Sequence, residues 1–103
     1  IWLTPTCAQV SQPNGVYGMN IDVAPEKFLQ HEQAACQYMV WANVCGAPAI
    51  SLPLGQHTNG LPIGVQLGAK PGHEELLIGL GAELEQAMPW SGRIPPLHVA
   101  RLG

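Results

Sequence analysis

The sequence predicts an α/β fold whose elements follow in the order β-α-β-β-α. Three observations predict it. Short apolar, β-favouring runs occur at residues 1–4, 49–53 and 61–67. Two longer stretches, 25–44 and 71–88, carry apolar residues near helical spacing. An Asn59-Gly60 pair separates the second and third runs, and Asn-Gly readily takes the positive φ of a tight turn.

Ile1 to Thr4 reads as a short buried strand, stopped by Pro5, which has no N–H to give a ladder. Residues 7–23 contain Pro13-Asn14-Gly15 and Gly18 and read as a long loop. Loops of that length inside a domain usually serve a function or wrap on something. Pro25 suits the first turn of a helix, with Ala24 or Asp22 as the cap region. Phe28, Leu29, Ala35, Cys36, Met39 and Val44 then fall near helical spacing, with Tyr38 and Trp41 beside them. Glu26, Lys27, Gln30, Glu32 and Gln33 make the first half polar. The second half is nearly all apolar, which predicts burial on most sides. Gly46 is a natural residue to follow a helix, and Pro48 forbids continuation.

Ala49 to Pro53 is the second strand, and Thr58-Asn59-Gly60 the turn after it. In the third strand Leu61, Ile63, Val65 and Leu67 alternate with Pro62, Gly64 and Gln66. Strands two and three form an antiparallel hairpin. The helix between strands one and two predicts that those two are parallel neighbours joined by a right-handed crossover. Gly64 permits another backbone or helix to approach closely. Pro71-Gly72-His73-Glu74-Glu75 opens the second helix, where two glutamates complement the helix dipole. Leu76, Leu77, Leu80 and Leu84 form its apolar stripe, and it ends near Met88-Pro89. The tail with Pro95-Pro96 reads as irregular.

Composition narrows the function classes. A chain of 103 residues fits one compact domain at most. Hydrophobic residues make up 47% and charged residues 11%. A free-standing domain usually carries about a quarter charged residues, so part of this surface is expected to be covered by more protein. The net charge is -3 with four Lys+Arg and no basic stripe, which speaks against nucleic acid as a partner. No apolar run approaches the roughly 20 residues of a membrane-spanning helix, and no signal-peptide pattern opens the chain. Cys7, Cys36 and Cys45 show no CxxC spacing, so a reducing, cytoplasmic setting is expected. His31, His57, His73 and His98 never fall at HxxxH or HExxH spacing. No P-loop, Rossmann fingerprint, nucleophile elbow or zinc motif occurs, so neither cofactor nor metal is expected. The chain opens inside a β-favouring run without an initiator Met, so either its numbering starts late or it is a fragment.

Few residues present themselves for chemistry. Ser51 stands alone in a strand with no base named beside it, and reads as a serine with a satisfied hydroxyl. Cys7, at a strand end, would be reactive only with a lowered pKa, and nothing cationic lies near it in sequence. Cys36 and Cys45 read as buried and inert. His57 reads as solvated in the hairpin loop, and His73 as a neutral polar helix cap. Trp2, Trp41 and Trp90 read as core or inter-domain packing rather than the lining of a ligand cleft.

Two blocks carry a resemblance. Asn43-Val44-Cys45-Gly46-Ala47-Pro48-Ala49-Ile50-Ser51-Leu52-Pro53-Leu54-Gly55 resembles the N-x-x-G-x-P-A-x-S-x-P segment of the amidase signature family. Gly60-Leu61-Pro62-Ile63-Gly64-Val65-Gln66-Leu67, followed by Lys70-Pro71-Gly72-His73-Glu74-Glu75-Leu76-Leu77, is very similar to the family's GLPIGVQL strand, glycine turn and final helix. Leu3-Thr4-Pro5-Thr6 looks like the strand before this block. The family often has Thr or Ala in place of Cys45 and Asp in place of His73.

The resemblance implies the β-α-β-β-α, C-terminal segment of a mixed-sheet hydrolase of carboxylic amides. It implies a serine nucleophile, a bridging serine in a cis peptide and a lysine base, which form and hydrolyse an acyl-enzyme. Those residues lie in a Gly/Ser-rich N-terminal region of the family, and no such region occurs here. Lys27 and Lys70 match no catalytic lysine, so no catalytic residue is carried over. The implied role is completion of the central sheet and a wall of the substrate cleft, with the loop from Thr6 to Val16 touching substrate. The expected partners are the N-terminal part of the amidase domain and a small amide. The parent is either a stand-alone amidase or the amide-transfer subunit of a transfer-RNA-charging complex. The other reading is a stand-alone interaction module, forming a homodimer, built on the same scaffold.

Overall fold

The computed structural model describes residues 1–18, 20 and 22–99. The elements are β1 (Trp2–Pro5), α1 (Pro25–Cys36), α2 (Val40–Cys45), β2 (Ala49–Gln56), β3 (Pro62–Gly68) and α3 (Glu74–Ala87). The sheet order is β1-β3-β2, with both pairings antiparallel. The hairpin of β2 and β3 is as the Asn59-Gly60 turn predicts, and Gly60 sits at φ 86.

The expected parallel neighbours are not there. β1 and β2 do run in the same direction, but β3 lies between them. The hairpin turn sets β3 against one edge of β2, and the free edge of β3 then takes β1, with Leu3 opposite Leu67. Its place at the edge also corrects the burial of β1. Leu3 is 67% exposed, and only alternate residues of the strand are partly covered.

β2 continues past Pro53 to Gln56, with a register shift between Leu52 and Gly55. Pro53 has no N–H for the ladder, so the pairing skips there and resumes at Gly55 opposite Ile63.

The single long helix is in fact two. α1 stops at Cys36, a turn formed by the Met39 N–H on the Cys36 carbonyl follows at 2.9 Å, and α2 starts at Val40. The carbonyl of Tyr38, inside this break, accepts from the side chain of Gln66 at 3.2 Å. Gln66 is buried at 4% exposure, and a buried amide needs a partner. α2 is not buried on most sides either: Trp41 and Val44 are 67% and 74% exposed. Gly46 ends α2 in the left-handed region at φ 61, as expected of a helix-terminating glycine. The cap of α1 is Ala24, which makes no side-chain cap hydrogen bond.

The core is small. Leu52, Leu67, Ala69 and Leu77 are buried, with Ile50, Leu54, Leu80, Leu84 and Trp90 packed against them. α3 reaches the sheet through Gly81, where an added Cβ would meet Ile50 Cδ1 at 3.3 Å. Leu77, Leu80 and Leu84 face this core, whereas Leu76, placed on the stripe by sequence, is half exposed. The tail after α3 is irregular, as expected. Arg93 ties it down, donating from Nη1 to the carbonyls of Pro53 (2.9 Å) and Gly55 (3.3 Å) at the skip in β2. The part of the tail beyond Val99 lies outside the described residues.

Candidate functional site

The chain leaves β1 at Pro5, and the Thr6 N–H donates to the Gly64 carbonyl at 2.9 Å, fixing where the long loop departs from the sheet. The hydroxyls of Thr6 and Ser51 then lie 2.6 Å apart, bridging the two outer strands across β3. Gly64 makes this possible. A Cβ there would stand 2.7 Å from Thr6 Oγ1 and 3.0 Å from Ser51 Oγ. The gap expected to admit a backbone or helix is filled instead by two hydroxyl-bearing side chains.

Beyond this pair the loop folds over α1. The Ala8 N–H points at the Ala35 carbonyl (3.4 Å), the Gln9 amide donates to the Tyr17 hydroxyl, and Tyr17 meets the His31 ring edge-on at 6.5 Å. The result is an open cleft of about 470 Å³ lined by the loop from Pro5 to Gln12, Tyr17, Ala35, Ser51 and the Pro62-Ile63-Gly64 stretch. The loop that sequence singled out for substrate contact thus forms one wall. Ser51 is a strand serine with a partnered hydroxyl, as expected, and it also faces the cleft. Tyr17, Ala35 and Ile63 line the cleft without having been marked by sequence. The strand alternation that turns Leu52 inward and Ser51 outward is the signal that finds Ser51; no local signal finds Ala35.

The remaining candidates lie elsewhere. Cys7 is exposed on the cleft wall, Cys36 is half-buried, and Cys45 is exposed rather than buried, because the face of α2 it occupies is uncovered. His57 is half-buried rather than fully solvated, and its Nδ1 accepts from the Asn59 N–H at 3.4 Å. His73 occupies the N-cap of α3 without a side-chain cap bond. Lys27 and Lys70 are both exposed, on α1 and in the turn after β3. Trp2 lies over Gly68, where an added Cβ would overlap its indole, and Trp90 packs on the core. Trp41 and Trp2 border a second, mostly apolar hollow of about 350 Å³ with Ala69 and Pro71. Among the described residues, no three of His, Cys, Asp and Glu are grouped to hold a metal ion, and no helix is long and apolar enough to cross a membrane.

A family model described as Amidase matches residues 2–78. The chain belongs to the amidase family. Among its amidase relatives, the 6-aminohexanoate-cyclic-dimer hydrolase of Paenarthrobacter ureafaciens is 41% identical over 80 residues, covering 78% of this chain and 16% of that protein. The putative amidase AmiC of Mycobacterium tuberculosis is 38% identical over 94 residues, covering 88% of this chain and 19% of AmiC. A glutamyl-tRNA(Gln) amidotransferase component of Nitrobacter hamburgensis is 44% identical over 59 residues, covering 57% of this chain and 11% of that protein. The fold superposes on the solved structure of 6-aminohexanoate cyclic dimer hydrolase with a TM-score of 0.80 and 36% identity, over 91% of this chain and 20% of that one. The chain therefore spans about a fifth or less of the length of these amidase-family proteins.

Proposed function

We propose that this chain is a scaffold and cleft-wall segment of a hydrolase of carboxylic amides, and that it does not hydrolyse amides by itself. The observation that carries the reading is the cleft at the end of β1. The Thr6–Ser51 pair, the gap left by Gly64 and the adjoining loop form one wall of a site that is open on its other side. Family membership supplies the reaction class, and the small share of each relative's length supports a division of labour with a catalytic part elsewhere in the protein. Exposed Leu3, Trp41 and Val44 support the same division, since apolar side chains this open call for cover. We assign that cover to the N-terminal part of the amidase domain rather than to a second copy of this chain. The free thiols of Cys7, Cys36 and Cys45 support a reducing, cytoplasmic setting.

The test compares the full-length protein carrying this chain with the 103-residue chain alone, on a panel of small primary and secondary carboxamides. The full-length protein is expected to release ammonia or amine, and the chain alone none. Turnover by the isolated chain would refute the division of labour. Absence of turnover by the full-length protein would refute the hydrolase reading. Sedimentation of the isolated chain as a stable dimer would favour the interaction-module reading.

A further inference from the structure

Resting on the hydrolase reading, we propose that the cleft beside Thr6 and Ser51 receives an uncharged part of the amide substrate and turns away carboxylate and ammonium groups. None of the described residues lining the cleft is Asp, Glu, Lys or Arg. The sequence reinforces this. The long loop from 7 to 23 contains one charged residue, Asp22, which lies outside that lining.

What the cleft offers instead is two neutral couples. In the first, Thr6 and Ser51 share one hydroxyl proton between their oxygens, which leaves one O–H free to donate. In the second, the Gln9 amide donates to the Tyr17 oxygen, which leaves the Tyr17 proton as a donor and Gln9 Oε1 as an acceptor. Ile63 and the other apolar lining residues complete the surface. Neutral donors and acceptors set in an apolar wall match a neutral polar group such as a carboxamide. A full charge set against this wall gives up part of its water and finds no countercharge on the wall in return, which is unfavourable. Discrimination of this kind comes from the penalty on the wrong ligand.

The test uses three amides of matched length with the full-length protein: valeramide, its ω-amino derivative and the monoamide of glutaric acid. Both hydrolysis and equilibrium binding are measured. Valeramide is expected to be preferred in kcat/KM and in binding by about tenfold or more, the scale of a charge that gives up part of its water without a countercharge on the wall. Gln9 is exposed, so its replacement does not threaten folding. Gln9→Glu is expected to raise the cationic amide relative to valeramide by about tenfold or more, and Gln9→Lys to do the same for the anionic one. Equal use of all three amides by the wild type overturns the inference while leaving the hydrolase reading intact. A preference that neither Gln9 variant moves also overturns it, because the selection then arises elsewhere. Selective binding that responds to Gln9, without hydrolysis of any amide, upholds the inference and overturns the hydrolase reading. No binding and no hydrolysis overturns both.

Discussion

The side-chain amide of Gln66 donates to the backbone carbonyl of Tyr38 at 3.2 Å, across 28 positions of sequence. This bond joins the central strand to the break between α1 and α2. Gln66 is the buried polar side chain among the described residues, and its partner is a carbonyl released where the helix stops. Its loss is expected to be felt at both ends. Gln66→Leu leaves the Tyr38 carbonyl without this donor and is expected to lower stability by about 1–3 kcal/mol. Urea unfolding measures the loss, and amide exchange across residues 37–40 should quicken. An unchanged unfolding midpoint would show that the bond does not hold the break in place.

Gly64→Ala tests the crowding beneath the cleft. The new methyl would enter a space 2.7 Å from Thr6 Oγ1, so β1 must shift or the Thr6–Ser51 bond must open. A cost of about 1–3 kcal/mol is expected from overpacking. Ser51→Ala removes the same hydrogen bond without adding bulk and should cost less, about 1 kcal/mol. Thermal unfolding of the two variants separates the effects, and the order is the prediction.

Gly46→Ala tests a different need. Nothing lies within 4 Å of an added Cβ there, but the backbone sits at φ 61. The expected cost is about 1 kcal/mol, from backbone conformation alone. Gly46→Asn should restore part of it, since Asn tolerates this region better than Ala. Equal unfolding midpoints for the Ala and Asn variants would contradict the assignment.

Arg93→Lys should loosen the tail. One ammonium cannot reproduce the placement of the guanidinium between the Pro53 and Gly55 carbonyls. Both bonds are exposed to water, so the expected loss is small, about 1 kcal/mol or less. The more sensitive readout is proteolysis after Trp90, which should accelerate several-fold in the variant. An unchanged cleavage rate would mean that Arg93 does not anchor the tail.

Leu67→Ala sets the scale for these effects. Leu67 is 2% exposed and sits where β1, β2 and α3 meet the central strand. Removing it from so small a core is expected to cost about 2–5 kcal/mol, the largest loss among these variants. Calorimetric unfolding measures it; a loss smaller than that of Gly46→Ala would mean that the core lies elsewhere.

The sequence by itself determined the elements whose cause is local. Asn59-Gly60 sets the hairpin, Gly46 and Pro48 end a helix and start a strand, and the leucines from Leu77 to Leu84 mark the face of α3. The length of the loop after β1 marked it as functional or wrapped on something, and the family resemblance made it a candidate cleft wall. The tertiary structure decided what depends on residues far apart in the chain. It placed β3 between β1 and β2, because the free edge of β3 offers β1 unpaired backbone N–H and C=O groups, and the connecting helix does not choose the partner. It broke the long helix where the amide of Gln66 takes the Tyr38 carbonyl, a demand that no window around Tyr38 contains. It brought Thr6 to Ser51 over Gly64, and so made two ordinary hydroxyls part of one cleft. Periodicity reports which side of an element faces inward; which partner meets that side is fixed only when the whole chain is packed.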